Sequence, residues 1–313
     1  MKLVVTIPAY NEEETISEVI REIPKKIAGI SEIEVLVIND GSSDKTAQIA
    51  KKEGATVITN QQNMGLAYSF SAGLKKALEL GADIIVNTDG DFQYNQKQIP
   101  LLVKPILENK CEITLGSRFL GNIEYMPPHK KIGNILVSLL VSVLVGQKIT
   151  DSQTGFRAFS KEAAMRINVF SNYTYTQETI LEAYDKRLTV HEVAVDFRKR
   201  EGKSRLISNI FDYARKVGLT IIQTYLNYRP LKVFFSIASV LLLVGLFFGL
   251  RVIVHYLSTG MVSPYIPSAM LSVLLFIVGF QIGLIGLIAE MVKRQRKIQE
   301  QVLYIEKKRL YSK

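Results

Sequence analysis

Groups able to do sulfur, imidazole or indole chemistry are scarce in this chain. A single cysteine, Cys111, excludes an intramolecular disulfide and a thiolate metal site, and its expected role is a small buried apolar side chain. Three scattered histidines, His129, His191 and His255, show no metal-ligand spacing, and tryptophan is absent. No Gly-x-x-x-x-Gly-Lys-Ser/Thr run occurs, which excludes a P-loop nucleotidase. The first apolar run, Leu3–Ile7, stops at Pro8 and a cluster of acids. It is too short for a signal-peptide core, so the folded domain is expected to stay in the cytoplasm.

What is present is unevenly spread. Apolar residues make up 48% of the 313 positions, and their long runs fall in the last third. The length suits one large domain plus something smaller. A net charge of +10 suits nucleic acid, anionic lipid or phosphorylated small molecules. Nucleic acid is set aside as a partner, because the apolar runs demand a lipid account first.

Residues 1–115 alternate strand-like and helix-like patterns. Leu3–Ile7, Glu34–Ile38, Thr56–Thr59 and Ile84–Asn87 read as short strands, with helices over about Glu13–Lys26, Ser43–Glu53 and Ala67–Leu80 between them. This spacing predicts an α/β domain with a mixed, mostly parallel sheet covered on both faces. In such sheets ligands sit beyond the carboxyl ends of the strands, where the polar clusters Pro8–Glu12, Asn39–Asp44 and Asp89–Gln93 fall.

Residues 131–147 are apolar except for Asn134, Ser138 and Ser142, which share one helical stripe. The run is too short to cross a bilayer; it suits a core helix or one lying in the membrane interface, and the interfacial reading is preferred. Residues 207–229 read as a juxtamembrane amphipathic helix, with Ile207, Ile210, Phe211, Ala214, Val217, Ile221 and Tyr225 on one face. Val233–Val254 and Ala269–Ala289 approach or exceed the roughly 20 residues a transmembrane helix needs. Arg251 lies 19 residues after Lys232, a separation that lets both side chains reach opposite headgroup layers. Arg229 and Lys232 precede the pair, Lys293, Arg294, Arg296 and Lys297 follow it, and the Ser258–Ser268 loop carries no charge. The positive-inside rule then predicts a multi-pass cell-membrane protein with both termini cytoplasmic. The expected organisation is a cytoplasmic domain over 1–206, the amphipathic helix over 207–229, two transmembrane helices over 230–292 and a basic tail over 293–313.

Asp89 and Asp91 flank Gly90 directly after an apolar strand, so two carboxylates meet in one loop. Magnesium-type ions are held by one or two carboxylates together with substrate phosphates, so the loop suits Mg²⁺ or Mn²⁺ bridging a nucleotide diphosphate. Gly65 permits close backbone approach. Arg118, Lys130, Lys131, Arg200, Lys203 and Arg205 form a basic constellation in loops beside the amphipathic segments. Asp151, Gln153 and Glu178 are the remaining polar candidates.

The ordered set IPAYNEE, VINDGSSDKT, NMGLA and TDGDFQ resembles the inverting family 2 glycosyltransferases of GT-A fold, over about residues 3–205. The continuation GSRF, DSQTGFRAFS and RKREGKSR narrows the resemblance to the dolichyl- and undecaprenyl-phosphate sugar synthases. The resemblance implies transfer from a nucleotide-diphosphate sugar, of GDP-mannose or UDP-glucose type, to a polyprenyl phosphate at the cytoplasmic membrane face. It implies that Pro8, Ala9, Tyr10, Asn11 and Glu12 form the donor loop, that Asp40 reads the nucleobase, and that Gly65 lies against the donor. Gln93 is implied as a neutral metal ligand beside Asp89 and Asp91. Arg118, Lys130 and Asn134 are implied at the acceptor phosphate, with Arg200 and Lys203 near the donor phosphates and sugar. Asp89, Asp91, Asp151 and Arg200 are thus the expected catalytic set. Because a phosphate acceptor is already ionised at neutral pH, Asp151 is expected to orient acceptor or sugar rather than remove a proton. The chain departs from its relatives in having Asn39 for a second aspartate, Leu66 and Ala67 for a basic residue and a glycine, and Lys130 for an arginine.

A processive polysaccharide synthase relies on Gln-x-x-Arg-Trp and is excluded by the lack of tryptophan. A non-catalytic membrane scaffold that keeps the fold, and a family 2 transferase with a non-phosphate acceptor, remain alternatives. The sequence leaves open the sugar, the polyprenol, and whether the chain is a homo-oligomer.

Overall fold

The computed structural model describes residues 1–169, 175–199, 223, 226 and 228–311. The chain divides into unit 1, Met1–Gly218 with Leu303–Lys313, and unit 2, Leu219–Val302.

Unit 1 is built on one seven-stranded sheet. Its strands are β1 (Lys2–Ala9), β2 (Glu32–Asn39), β3 (Thr56–Thr59), β4 (Ile84–Asn87), β5 (Ile113–Ser117), β6 (Arg157–Ser160) and β7 (Val190–Ala194). The spatial order is β3-β2-β1-β4-β6-β5-β7. The first half is parallel, with Lys2 to Ala9 of β1 registered against Glu32 to Asn39 of β2, and Leu3 to Thr6 against Ile84 to Asn87 of β4. β6 runs antiparallel to both β4 and β5, and β5 pairs parallel with β7. The expectation of a mixed, mostly parallel sheet is met. Continuous apolar runs make these strands, since a sheet covered on both faces leaves no side for polar residues. Leu3, Val5, Ile7, Val37, Ile84 and Val86 are fully withdrawn from solvent in one core.

Helices α1 (Ile16–Glu22), α2 (Thr46–Lys52), α3 (Leu66–Glu79) and α4 (Ile99–Leu107) cover this sheet. α1 is shorter than expected because Pro24 disfavours helical backbone at Ile23, which is already extended at ψ 126°. α5 (Pro128–Val145), α6 (Lys161–Arg166) and α7 (Thr176–Asp185) complete the described helices before residue 200.

α5 turns its polar stripe inward. Asn134 and Ser138 are buried, and Ser138 Oγ meets Ser152 Oγ at 3.1 Å and accepts from Ser152 N at 2.9 Å. Ser142 Oγ accepts from Ile149 N at 2.9 Å. Ile132, Ile135, Leu136, Leu139 and Val143 face outward and are exposed. Contiguous exposed apolar surface of this kind marks a contact surface in place of a solvated one.

Unit 2 contains α8 (Pro230–Thr259) and most of α9 (Ile266–Tyr311). These two and α5 are the described helices long and apolar enough to cross a membrane. α8 and α9 pack through small residues: Ser272 Oγ donates to Gly245 O at 2.8 Å, and a side chain at Gly286 would meet Phe234 Cβ at 2.7 Å. Arg251 stacks on the Tyr265 ring at 4.4 Å, toward the uncharged connecting loop. α9 runs without a break through Tyr311, so residues 293–311 are helical. Pairs such as Arg296 with Glu300, 2.8 Å apart at i,i+4, and a run of Lys, Glu and Gln favour continued helix. The expected amphipathic helix over 207–229 falls almost wholly outside the described residues.

Candidate active site

The carboxyl ends of β1, β2 and β4 lie side by side, and the loops that follow them converge. After β1, Pro8 and Ala9 are buried, Tyr10 is exposed, and Asn11 adopts a left-handed φ of 54°. Asn11 Oδ1 accepts from Ser43 N at 2.8 Å, and Asn11 N donates to Ser42 Oγ at 2.9 Å, which ties this loop to the one after β2. Glu12 N donates to Thr46 Oγ1 at 2.8 Å.

Asp40 is buried and accepts from Asn60 Nδ2 at 2.7 Å, Met64 N at 2.9 Å and Gly65 N at 2.8 Å. Its carboxylate thus fixes the Asn60–Gly65 loop, whose residues 61–64 are exposed. Gly41 makes that approach possible: at φ +70°, a side chain there would lie 2.5 Å from the Gln62 carbonyl carbon. Gly65 has φ +93° and starts α3. Asn39 donates to Thr59 Oγ1 and accepts from Ser42 N, roles that suit an amide at that position.

After β4, Asp89 and Asp91 are partly exposed on either side of buried Gly90. Gly90 lies 3.5 Å, at a virtual Cβ, from Pro8 O and Ala9 Cβ, and its carbonyl accepts from Thr15 Oγ1 at 2.7 Å. The Pro8–Glu12 loop and the carboxylate loop therefore abut. Phe92 holds φ 59°, a strained value for a bulky side chain, and Arg198 stacks on its ring at 4.4 Å. Gln93 Nε2 donates to Arg198 O at 3.4 Å, while Arg198 N donates to Gln93 O at 2.8 Å. Gln93 Oε1 has no hydrogen-bond partner among the described residues.

A second cluster forms at the end of β5. Arg118 is buried and forks onto Asp151, Nε to Oδ2 at 2.6 Å and Nη2 to Oδ1 at 2.8 Å, while Arg118 N adds a bond of 3.1 Å. Burial alone would lower the Arg118 guanidinium, but the Asp151 carboxylate outweighs it and holds Arg118 above its ordinary value. Asp151 has no solvent exposure and takes a fourth donor, Gln153 N, at 3.3 Å. With the Asn134 amide oriented to satisfy its neighbours, its oxygen accepts from Arg118 Nη2 at 3.3 Å and its nitrogen donates to Lys130 O at 3.3 Å and Gln153 Oε1 at 2.8 Å. Arg118, Lys130, Asn134, Asp151 and Gln153 thus meet in one place.

The Asp151–Gly155 loop joins the two clusters. A side chain at Gly155 would lie 2.7 Å from both Asp89 carboxylate oxygens. Gly155 N donates to Tyr94 Oη at 2.9 Å, and Asn87 Nδ2 donates to Gly155 O at 2.9 Å and to Tyr175 Oη at 2.9 Å. Burial pushes the Tyr94 phenol up to about 12. Arg157, fully buried, donates to Ser152 O and Thr154 O on one side and Thr176 O and Thr179 Oγ1 on the other. Burial lowers its guanidinium below the ordinary value. Asn87, Tyr94, Arg157 and Arg198 were not legible as site residues. Asn87, Tyr94 and Arg198 act through partners remote in sequence, Arg157 ties its own preceding loop to α7, and only Arg198, which opens the basic run RKREGKSR, carried a signal. Glu178 is half-buried in the first turn of α7. Arg200, Lys203 and Arg205 lie outside the described residues.

A parallel half-sheet with paired carboxylates at its strand ends, continued by a mixed half that supplies a second polar cluster, defines an α/β transferase of GT-A type. The family model for glycosyl transferase family 2 matches residues 4–167, and the chain belongs to that family. A second model, the GtrB C-terminal hairpin, matches residues 229–294. The chain is 33% identical over 211 residues to the UDP-N-acetylglucosamine–dolichyl-phosphate N-acetylglucosaminyltransferase of Methanococcus voltae, covering 60% of this chain and 82% of the relative. It is 30% identical over 230 residues to the dolichol-phosphate mannosyltransferase of Pyrococcus furiosus, covering 69% and 63%. Among solved structures it is similar in fold to glucosyl-3-phosphoglycerate synthase of Mycobacterium tuberculosis in complex with Mn²⁺, UDP and glucosyl-3-phosphoglycerate. The TM-score there is 0.56 at 22% identity, over 72% of this chain and 78% of that one.

Proposed function

We propose that this protein transfers a sugar from a nucleotide diphosphate to the phosphate of a polyprenyl lipid at the cytoplasmic face of the membrane, with inversion at the anomeric carbon. The observation that carries the reading is the Asp151–Gly155 loop, which touches Asp89 at one end and the buried Arg118 cluster at the other. Relatives named as dolichyl-phosphate transferases support the lipid acceptor. The outward apolar face of α5, which carries Asn134 on its inner face, supports an acceptor delivered from a bilayer surface.

In this reading the donor diphosphate lies over Gly90, between the Pro8–Glu12 loop and Asp91. The residues there fit a divalent cation: two carboxylates and an unpartnered amide oxygen are hard oxygen donors, and substrate phosphates would complete the shell. When bound, such an ion supplies positive charge against the departing diphosphate. Arg118, Lys130 and Asn134 receive the lipid phosphate. A phosphate oxygen attacks the anomeric carbon as the bond to the diphosphate breaks, and no proton has to be removed. Asp151 accordingly acts as a positioning residue, because its oxygens are occupied by four donors. Arg200 and Lys203 are assigned to the diphosphate and sugar, and Asp40 to the base-side wall.

α8 and α9 serve as two membrane spans, with the Ser258–Ser268 loop external and both termini cytoplasmic. A cysteine at Thr259, in a background with Cys111 replaced, tests this orientation, and labelling from the cytoplasmic side alone would overturn it. The reaction itself is tested by supplying purified protein in neutral detergent with UDP-glucose, UDP-N-acetylglucosamine or GDP-mannose and a short-chain polyprenyl phosphate. The expected result is a lipid-linked sugar from one of the donors, and its absence with all three would count against the reading.

A further inference from the structure

One side chain of the Asp151–Gly155 loop has no part in the mechanism above. Asp151, Ser152 and Thr154 are buried, as is Gly155, whereas Gln153 is half-buried. Every other position of the loop is pinned. Arg118 holds Asp151, Ser138 Oγ holds Ser152 N at 2.9 Å, Arg157 holds the Ser152 and Thr154 carbonyls, and Tyr94 and Asn87 hold Gly155. The backbone that carries Gln153 is therefore rigid. Its side-chain oxygen is also committed, since Oε1 accepts from Asn134 Nδ2 at 2.8 Å. That contact fixes the amide's orientation and leaves Nε2 without a hydrogen-bond partner among the described residues.

Gln153 thus offers a pre-oriented, donor-only group. It stands two residues from the glycine that presses on Asp89 and one hydrogen bond from the residue that meets Arg118. If the diphosphate leaves from the Asp89 side and the lipid phosphate arrives on the Arg118 side, the transferred sugar occupies the space between. Both phosphates are already met by cations, so the neutral amide is matched to a neutral oxygen acceptor. A site that hydrogen-bonds a substrate hydroxyl discriminates strongly against analogues that lack it.

We infer that Gln153 is a specificity-determining residue whose Nε2 donates to a hydroxyl oxygen of the transferred sugar. The inference rests on the proposed glycosyl transfer and deepens it. The test uses the full chain in neutral detergent with Mn²⁺, and compares wild type with Gln153→Met, which keeps length and loses the donor. Calorimetry measures binding of UDP-glucose, UDP-N-acetylglucosamine and GDP-mannose against UDP and GDP. The expected result is unchanged affinity for the nucleotide diphosphates and a loss of about 3- to 10-fold for the cognate nucleotide sugar, the range for one neutral hydrogen bond. The donor KM rises in step, the acceptor KM does not move, and discrimination among the three sugars narrows. Gln153→Glu, which keeps an oxygen for Asn134, gives the same difference between nucleotide sugar and nucleotide should Gln153→Met fail to fold.

Three results would overturn the inference: sugar binding and selectivity equal to wild type, an equal loss for nucleotide and nucleotide sugar, or a change confined to the acceptor KM. The second would mark a purely structural role and the third a contact to the lipid phosphate. Failure of wild type to bind any of the three sugars would instead remove the glycosyl-transfer reading, and the inference with it.

Discussion

At the carboxyl ends of β1 and β4, Tyr10, Asn11, Glu12, Asp89 and Asp91 stand partly or wholly in solvent, on loops held by backbone amides and short hydroxyls. Around β5 the opposite holds: Arg118 and Asp151 form an ion pair withdrawn from water, and the polar stripe of α5 closes over it. A half-exposed carboxylate can be deleted without stranding a charge in the interior. A buried pair cannot, because deleting either partner leaves the other's charge in the interior without its counter-ion. The proposed donor half should therefore tolerate substitution in its fold while losing chemistry, and the proposed acceptor half should lose both together.

The largest expected effect sharpens that contrast. Asp91→Ala should cut turnover on the order of 10³-fold, the scale for removing a group that stabilises transition-state charge. Its melting temperature in neutral detergent should stay near that of wild type, and full activity of this variant in excess EDTA would remove the metal assignment. Next comes Asp151→Ala, which leaves the Arg118 guanidinium buried and unpaired. A loss of about 3–5 kcal/mol in stability is expected, seen as a large drop in melting temperature. If Asp151→Ala melts like wild type, the two halves do not differ in the way described.

A smaller effect is expected inside the donor half. Gly41→Ala sets a side chain against the Gln62 backbone at φ +70° and should cost about 1–3 kcal/mol. It should also raise the donor KM, because the Asn60–Gly65 loop must shift, while the acceptor KM stays constant. A change in the acceptor KM alone would break the comparison.

The smallest effect is a pH dependence at the Gln93 loop. Burial by itself would raise the Glu22 carboxyl, but hydrogen bonds from Arg198 and Gln96 N outweigh it and hold Glu22 below its ordinary 4.5. A depressed carboxyl contributes stability that is fully present above the unfolded value and is lost as pH falls through the folded one. Glu22→Gln should thus lower the melting temperature near neutral pH, and the gap to wild type should close as pH drops below 4.5. A gap that is constant with pH would assign the contact to packing.

Much of the donor half was legible because parallel strands covered on both faces read as unbroken apolar runs. Thr56–Thr59 and Ile84–Asn87 fall where expected, and the loops that follow β1, β2 and β4 carry the polar clusters. The acceptor half was harder to read. Arg118 and Asp151 are 33 residues apart, and no local pattern pairs them. The stripe of Asn134, Ser138 and Ser142 was visible, yet helical periodicity gives only the stripe and not which side meets the protein. Tyr94 read as an ordinary residue because its role comes from a bond to an amide 61 residues away, and Arg157 because it ties the adjacent loop to Thr176 and Thr179 of α7, which no local pattern shows.

The claim that the two halves serve different substrates is tested most directly at Arg118. Arg118→Lys keeps the positive charge but gives up the fork on Asp151. With a short-chain polyprenyl phosphate in neutral detergent, the apparent KM for the acceptor should rise by about tenfold to 150-fold, the scale for a lost hydrogen bond to a charged group. The KM for the nucleotide sugar should hold steady. A purely electrostatic attraction to anionic lipid, worth about 1 kcal/mol per basic residue at a membrane surface, predicts no change in that medium. Saturation of Arg118→Lys at the wild-type acceptor concentration would contradict the account.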